Sequence, residues 1–204
     1  MFIELTDHLR CPGDHAEGYL VLLPERLVER RVVAGVLGCP ACGREVAVVD
    51  GQVDFGDATS DEAPTSLSAA AVHALAGVEG PGGYVALVGA AGRIATEAAP
   101  MFAGIRLVLV NPPEAEAAPD EASVLRARRL PLKRSSMRAV VVGGAAGQDV
   151  TTVTEAFGAV LPGNRLVVEG PAADLPDLEI LAEAGGVWVG RKVSRPAAGA
   201  PDPA

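Results

Sequence analysis

Cys39-Pro-Ala-Cys42 is the most chemically pointed spacing in this 204-residue chain. Two thiols held on a tight turn can grip one metal ion together, and Pro40 and Gly43 shape such a turn. A tetrahedral ion needs a second pair of donors. Cys11 and His15, in Cys11-Pro-Gly-Asp-His15, offer one, and His8 is the alternative fourth donor because it lies close to Cys11. The stretch between the two pairs is long enough for a strand out and a strand back, which would bring two knuckles together. Four protein ligands close a zinc site, so the expected metal is structural rather than catalytic. The plain alternative is that the cysteines are small buried hydrophobes and His15 a surface residue.

A second spacing follows a short apolar run, Tyr84–Val88, in the turn Gly89-Ala-Ala-Gly92. Glycines between a strand and a helix let a nucleotide approach the backbone, with the helix N-terminus turned toward it. Many α/β folds keep such a turn for packing alone. Groups for covalent or proton-transfer chemistry are scarce, so no catalytic residue is assigned. No GxSxG elbow occurs, and His73 sits in an Ala-rich segment that explains it as a packed or exposed helix residue. The turn also resembles the GxxGxxG of short-chain dehydrogenase-like NAD(P) binders. Those enzymes use a Tyr-x-x-x-Lys pair, and neither Tyr19 nor Tyr84 has a lysine four residues on. A nucleotide-sensing module without chemistry is a further reading of the same turn.

The elements that must position these residues change character near residue 58. Before it lie all the cysteines and short alternating runs such as Tyr19–Leu23 and Glu45–Val49, the pattern of a small β-rich unit over 1–57. Residues 58–66 have linker composition. Over 67–195, helix-like and strand-like segments alternate. Leu67–Val78, Arg93–Ala99, Asp149–Leu161 and Leu178–Ala184 read as helices. Tyr84–Val88, Arg106–Val110, Val124–Ala127, Ala139–Val142, Arg165–Glu169 and Val187–Val193 read as strands. Apolar strands separated by helices predict a mostly parallel sheet covered on both faces. Residues 196–204 read as a disordered tail.

Composition narrows the partners. Hydrophobic residues make up 49% and aromatics only 3%, so Ala, Val and Leu must fill the core. Lys+Arg number 17 against 26 Asp+Glu, a net charge of -9 that disfavours non-specific DNA binding. Six of the 17 basic residues nevertheless fall within Val124–Arg138: Arg126, Arg128, Arg129, Lys133, Arg134 and Arg138. That segment could meet an acidic partner or RNA, or simply pair with the chain's own carboxylates. No apolar run reaches the ~18 residues of a membrane span. Met1–Arg10 lacks a signal peptide's apolar stretch, so a cytoplasmic protein with reduced thiols is expected.

The first unit resembles a known family. Leu9-Arg-Cys-Pro12, Gly38-Cys-Pro-Ala-Cys-Gly43, Val46-Ala-Val-Val-Asp-Gly51 and Val53-Asp-Phe55 are similar to the zinc-ribbon-like activators of tRNA and translation-factor methyltransferases. The resemblance covers about residues 5–57. The family's first knuckle is CPxC, and here His15 stands nearest to the missing cysteine. It implies a structural zinc and docking on a methyltransferase, satisfied within the chain, between two copies in a homodimer, or by another protein.

The rest resembles class I S-adenosylmethionine (SAM)-dependent methyltransferases, through the Gly89–Arg93 turn and Glu155–Glu169, EAFGAVLPGNRLVVE. It implies a Rossmann-like fold and cofactor contacts at Gly89, Ala91, Gly92 and Asn111. This chain departs from the pattern repeatedly. Ala91 and Arg93 replace the later glycines, and Asn111 stands where an acid binds the ribose hydroxyls. The segment after the fourth core strand, Gly143-Gly-Ala-Ala-Gly147, carries no acid. The closing hairpin reads as shortened. The expectation is a truncated methyltransferase-like fold, a pseudoenzyme acting as a binding or regulatory module. The alternative is an active methyltransferase with an atypical site.

Overall fold

The computed structural model describes residues 1–56, 58, 60–114, 118–120 and 122–193; the expected tail at 196–204 lies outside them. The first unit is a meander: β1 (Val21–Val28), β2 (Arg31–Gly38), β3 (Glu45–Val49) and β4 (Gln52–Asp54), each antiparallel to the next. Alternation in β3, with Val46 and Val48 buried and their neighbours exposed, is the period-2 pattern of a strand with one wet face.

The second segment supplies α1 (Ala69–Ala76), β5 (Tyr84–Gly89), α2 (Ala95–Ala98), β6 (Arg106–Val110), β7 (Ala122–Arg126), β8 (Met137–Gly143), α3 (Val150–Ala159), β9 (Val160–Glu169), β10 (Leu178–Ala184) and β11 (Val187–Lys192). Ser68 caps α1 through the Ala71 N–H, and Asp149 caps α3 through the N–H groups of Thr151 and Thr152. Strands β5 to β9 pair in parallel. β5 is buried at every position, as a strand packed on both faces must be.

All eleven strands form one sheet in the order β1-β2-β3-β4-β7-β6-β5-β8-β9-β11-β10. The joint between the two segments is a parallel pairing of β4 on β7, with Gln52 opposite Val124, Val53 opposite Leu125 and Asp54 opposite Arg126. The two sides of the sheet pack differently. Val85, Leu87, Leu107, Leu109, Val141 and Val167 face α1, α2 and the following 3₁₀ turn Ala99–Phe102. The opposite side is covered by α3 and by the N-terminal residues themselves: Met1, Leu5 and Leu9 are fully buried in the same cluster as Tyr84, Val108, Val110 and Leu125.

This burial explains a departure from the expected alternation. No helix lies among the described residues between β6 and β7, or between β7 and β8. The 3₁₀ helix Ile3–His8 and the chain after it cover that face instead. Leu9 bridges Leu132, the Arg10 N–H donates to Pro131, and the Lys133 N–H donates to His8. Each fully buried leucine in this layer stabilises it by roughly 1.5–3 kcal/mol.

Two expectations are corrected. Leu178–Ala184 is not a helix but strand β10, paired with β11 across Gly185-Gly186. Its Leu, Glu and Ala favour helix, but both turn glycines adopt positive φ (60° and 78°), the geometry of a tight hairpin. The closing hairpin is therefore present and the sheet is not truncated: β11 continues onto β9 from Val187–Glu169 to Arg191–Arg165. Among the described residues no helix is long and apolar enough to cross a membrane.

Candidate metal centre and strand-end cleft

Strand β2 ends at Gly38 and delivers Cys39 into a tight turn. The Cys39 N–H donates to Arg44 at 2.8 Å and the Gly43 N–H returns to Cys39 at 2.9 Å, which fixes the Cys39–Cys42 knuckle. The other side is set by the bridge between Arg10 and Tyr19, which pins the chain around Cys11 to His15. One ligand atom each from Cys11, His15, Cys39 and Cys42 lies within 4.8 Å of all the others. Cys11 Sγ and Cys42 Sγ are 3.8 Å apart, and Cys39 Sγ and His15 Nε2 are 3.4 Å apart. Around tetrahedral zinc, metal–ligand bonds of ordinary length set sulfurs about 3.8 Å apart and sulfur about 3.6 Å from nitrogen.

The histidine is oriented for this task. Its Nδ1 lies 2.8 Å from the Ala16 carbonyl, which can only accept, so the proton sits on Nδ1 and the Nε2 lone pair faces Cys39. The thiols differ. Burial pushes Cys11 up to about 11. Burial also acts to raise Cys39, but the backbone N–H groups of Cys42 and Ala41 outweigh it and bring that thiol down to about 7. His8, the alternative donor, is elsewhere: its ring packs 5.0 Å from that of Tyr84.

At the carboxyl ends of β5, β6 and β8 lies a cleft of about 480 Å³, lined by Gly89, Asn111, Arg128, Ala146, Asp149 and Thr152 among others. Of the residues expected to hold a cofactor, Gly89 and Asn111 line it. Ala91 and Gly92 are buried, with Gly92 packed against Pro112. Asn111 is held at positive φ (52°). Its Nδ2 donates to the Ala127 carbonyl at 2.8 Å and its Oδ1 accepts the Ala127 N–H at 2.9 Å. Both ends of the amide thus clasp the end of β7.

The segment expected to be a linker crosses the same cleft. Asp61 Oδ2 accepts the Ala146 N–H at 2.9 Å. Arg93 donates to the carbonyls of Ala63 and Glu62, and its guanidinium stands 3.5 Å from the Glu62 carboxylate. Glu169, at the end of β9, accepts from the Thr65 and Ser66 hydroxyls, each at 2.7 Å, the Ser66 N–H at 2.6 Å and the Gly144 N–H at 3.2 Å. Burial acts to raise the Glu169 carboxyl, but these donors outweigh it and hold it below its usual range.

The basic segment is largely absorbed. Arg126 donates to Ser60, Arg129 to Glu155, Lys133 to the Asp7 carbonyl, and Arg138 to the carbonyls of Gly80 and Gly82. Glu155, whose side chain is 11% exposed, also takes Arg10 and the Leu130 N–H, so one carboxylate joins the N-terminal unit, α3 and the β7–β8 loop. Of that segment's six basic side chains, Arg128 and Arg134 make no hydrogen bond to the described residues. Asp61, Glu155 and Glu169 were not singled out as site residues. Asp61 lies in linker-like sequence, Glu155 in the middle of a helix and Glu169 at the end of an apolar strand, so nothing local marks them.

No family model and no curated protein matches this chain. Solved structures do align with it. A Corynebacterium glutamicum protein superposes with a TM-score of 0.49 at 17% identity, over 67% of this chain and 85% of that one. Geranyl diphosphate methyltransferase in complex with SAM gives 0.42 at 18% identity, over 48% of this chain. A chain from the complex of the Haloferax volcanii Trm112 methyltransferase activator gives 0.38 at 21% identity, over 50% of this chain and 52% of that one. This chain spans 46% of the geranyl diphosphate methyltransferase.

Proposed function

We propose that this chain is a non-catalytic, methyltransferase-like binding module in which a structural zinc unit is docked on its own Rossmann-like sheet. Cys11, His15, Cys39 and Cys42 would hold the zinc, which would fasten the meander that carries β4 onto β7. In this reading the docking that an activator offers a separate methyltransferase is made within the chain. The free thiols suit the cytoplasm, where cysteines stay reduced. A protein partner beyond this internal contact is supported by Leu23, Leu27 and Val28, exposed along edge strand β1. An acidic partner or RNA at the basic segment would have Arg128 and Arg134 to use.

The observation that carries the non-catalytic reading is the Asn111 clasp. A ribose needs an acceptor at the end of the second core strand, and here the amide is turned onto Ala127 at both ends, which leaves one lone pair of Oδ1 where a carboxylate would offer more. Asn is also a weaker acceptor than a carboxylate. Among the described residues the cleft is lined by no His, Lys, Tyr or Cys; its ionisable side chains are Asp61, Glu62, Arg128 and Asp149. The second reading, an active SAM-dependent methyltransferase, is favoured by the place of the cleft at the strands' carboxyl ends, where the strand order reverses. SAM would bring the methyl group; Gly89 and Asn111 would have to face it.

Isothermal titration calorimetry of the zinc-loaded protein with SAM and with S-adenosylhomocysteine separates the two. The module reading expects no heat of binding at millimolar ligand. Micromolar binding with methyl transfer to any acceptor overturns it.

A further inference from the structure

Asp61 sits against the two glycine turns that follow β5 and β8 at the cleft. Its Oδ2 lies 2.7 Å from the point where a Cβ on Gly89 would stand and 2.8 Å from that point on Gly144. Both glycines have positive φ (64° and 70°), so no other residue suits either the backbone or the space. The same carboxylate binds the Ala146 N–H at 2.9 Å and, through Oδ1, the Ala63 N–H at 3.1 Å. The two glycine turns thus hold a carboxylate of the chain itself.

Residues 60–66 are held at both ends. On one side Arg93 grips Ala63 and Glu62, the Glu114 N–H donates to Glu62 at 2.9 Å, and Arg126 donates to Ser60 at 2.6 Å. On the other, Glu169 gathers Thr65 and Ser66. Every one of these contacts comes from the carboxyl ends of the core strands or the turns just after them.

We propose that residues 60–66 are a resident ligand of the cleft, with Asp61 seated in the Gly89 and Gly144 turns, so that an adenosyl amino acid can enter only by displacing this segment. The inference rests on reading the cleft as a methyltransferase cofactor cleft. Its basis is steric and electrostatic. An incoming ligand with its own carboxylate meets Asp61 at like charge and in occupied space.

The test pairs hydrogen exchange with calorimetry on wild type and Asp61→Ala, using S-adenosylhomocysteine as the probe. Exchange in 60–66 should rise at least tenfold in the variant while α3 and β5 keep wild-type protection, which also shows that it folds. Binding of the probe should be at least tenfold tighter than in wild type. Arg93→Met, which loosens the segment from the opposite side, should shift both readouts the same way. Unchanged exchange in 60–66 overturns the proposal, as does an opened segment with no gain in binding. Micromolar binding to wild type that strips protection from 60–66 supports displacement and sinks the non-catalytic reading instead. Micromolar binding that leaves 60–66 protected overturns the displacement itself.

Discussion

The metal cluster and the cleft are both places where polar side chains converge, and they differ in what those side chains face. At the cluster, three sulfurs and an imidazole nitrogen lie within 4.8 Å of one another, at separations that would suit one tetrahedral ion. At the cleft, Asn111, Asp61, Arg93 and Glu169 are each paired with other parts of the chain. What separates the two is the donor set: sulfurs and an imidazole nitrogen at metal-ligand spacing at the cluster, carboxylates and an amide bound to the chain's own groups at the cleft.

The largest effect should come from breaking the cluster. Cys39→Ser should strip about one zinc per chain and unfold the first unit, since structural zinc contributes about 10–16 kcal/mol in small folds. Elemental analysis and far-UV circular dichroism read this, and a fully folded metal-free protein would reduce the cluster to buried thiols. The clasp between the two segments ranks next. Glu155→Ala leaves Arg10 and Arg129 without their carboxylate and should cost about 3 kcal/mol in urea unfolding. A loss below 0.5 kcal/mol would show that the β4–β7 pairing holds the joint without help.

Asn111→Ala sharpens the contrast from the cleft side. It removes two hydrogen bonds and places alanine at positive φ, so a loss of about 1–3 kcal/mol is expected. If stability were unchanged, the amide would be free for a ligand after all. The smallest effect is a pH dependence at Glu169. Its folded carboxyl is held below its ordinary value. Its contribution is therefore full above the unfolded value of about 4.3 and fades as pH falls through the lowered one. Urea midpoints between about pH 6 and pH 3 should fall less steeply in Glu169→Gln than in wild type.

Much of this was legible because local chemistry decides it. The Cys39–Cys42 spacing, the all-apolar run Tyr84–Val88 and the Asp149 cap each declare their geometry within a few residues. The errors arise where distant parts decide. Leu178–Ala184 has helical composition and becomes a strand through the Gly185-Gly186 turn and the pairing with β11. That glycine pair between two apolar runs was the available signal. Residues 58–66 look like a linker because Ser, Thr, Asp and Pro are common in slack chain. Their partners, Glu169 and Ala146, lie more than eighty residues away. The basic segment likewise reads as a surface patch, yet Arg126, Arg129, Lys133 and Arg138 find distant partners within the chain. Long-range hydrogen bonding leaves no trace in a single local window.

The proposed contrast between a zinc-holding cluster and a cleft occupied by residues 60–66 can be tested in one spectrum. Native mass spectrometry of the full chain, with zinc supplied and S-adenosylhomocysteine in large excess, should show one zinc per chain and no nucleoside adduct. A chain carrying S-adenosylhomocysteine but no zinc would contradict the account on both sides.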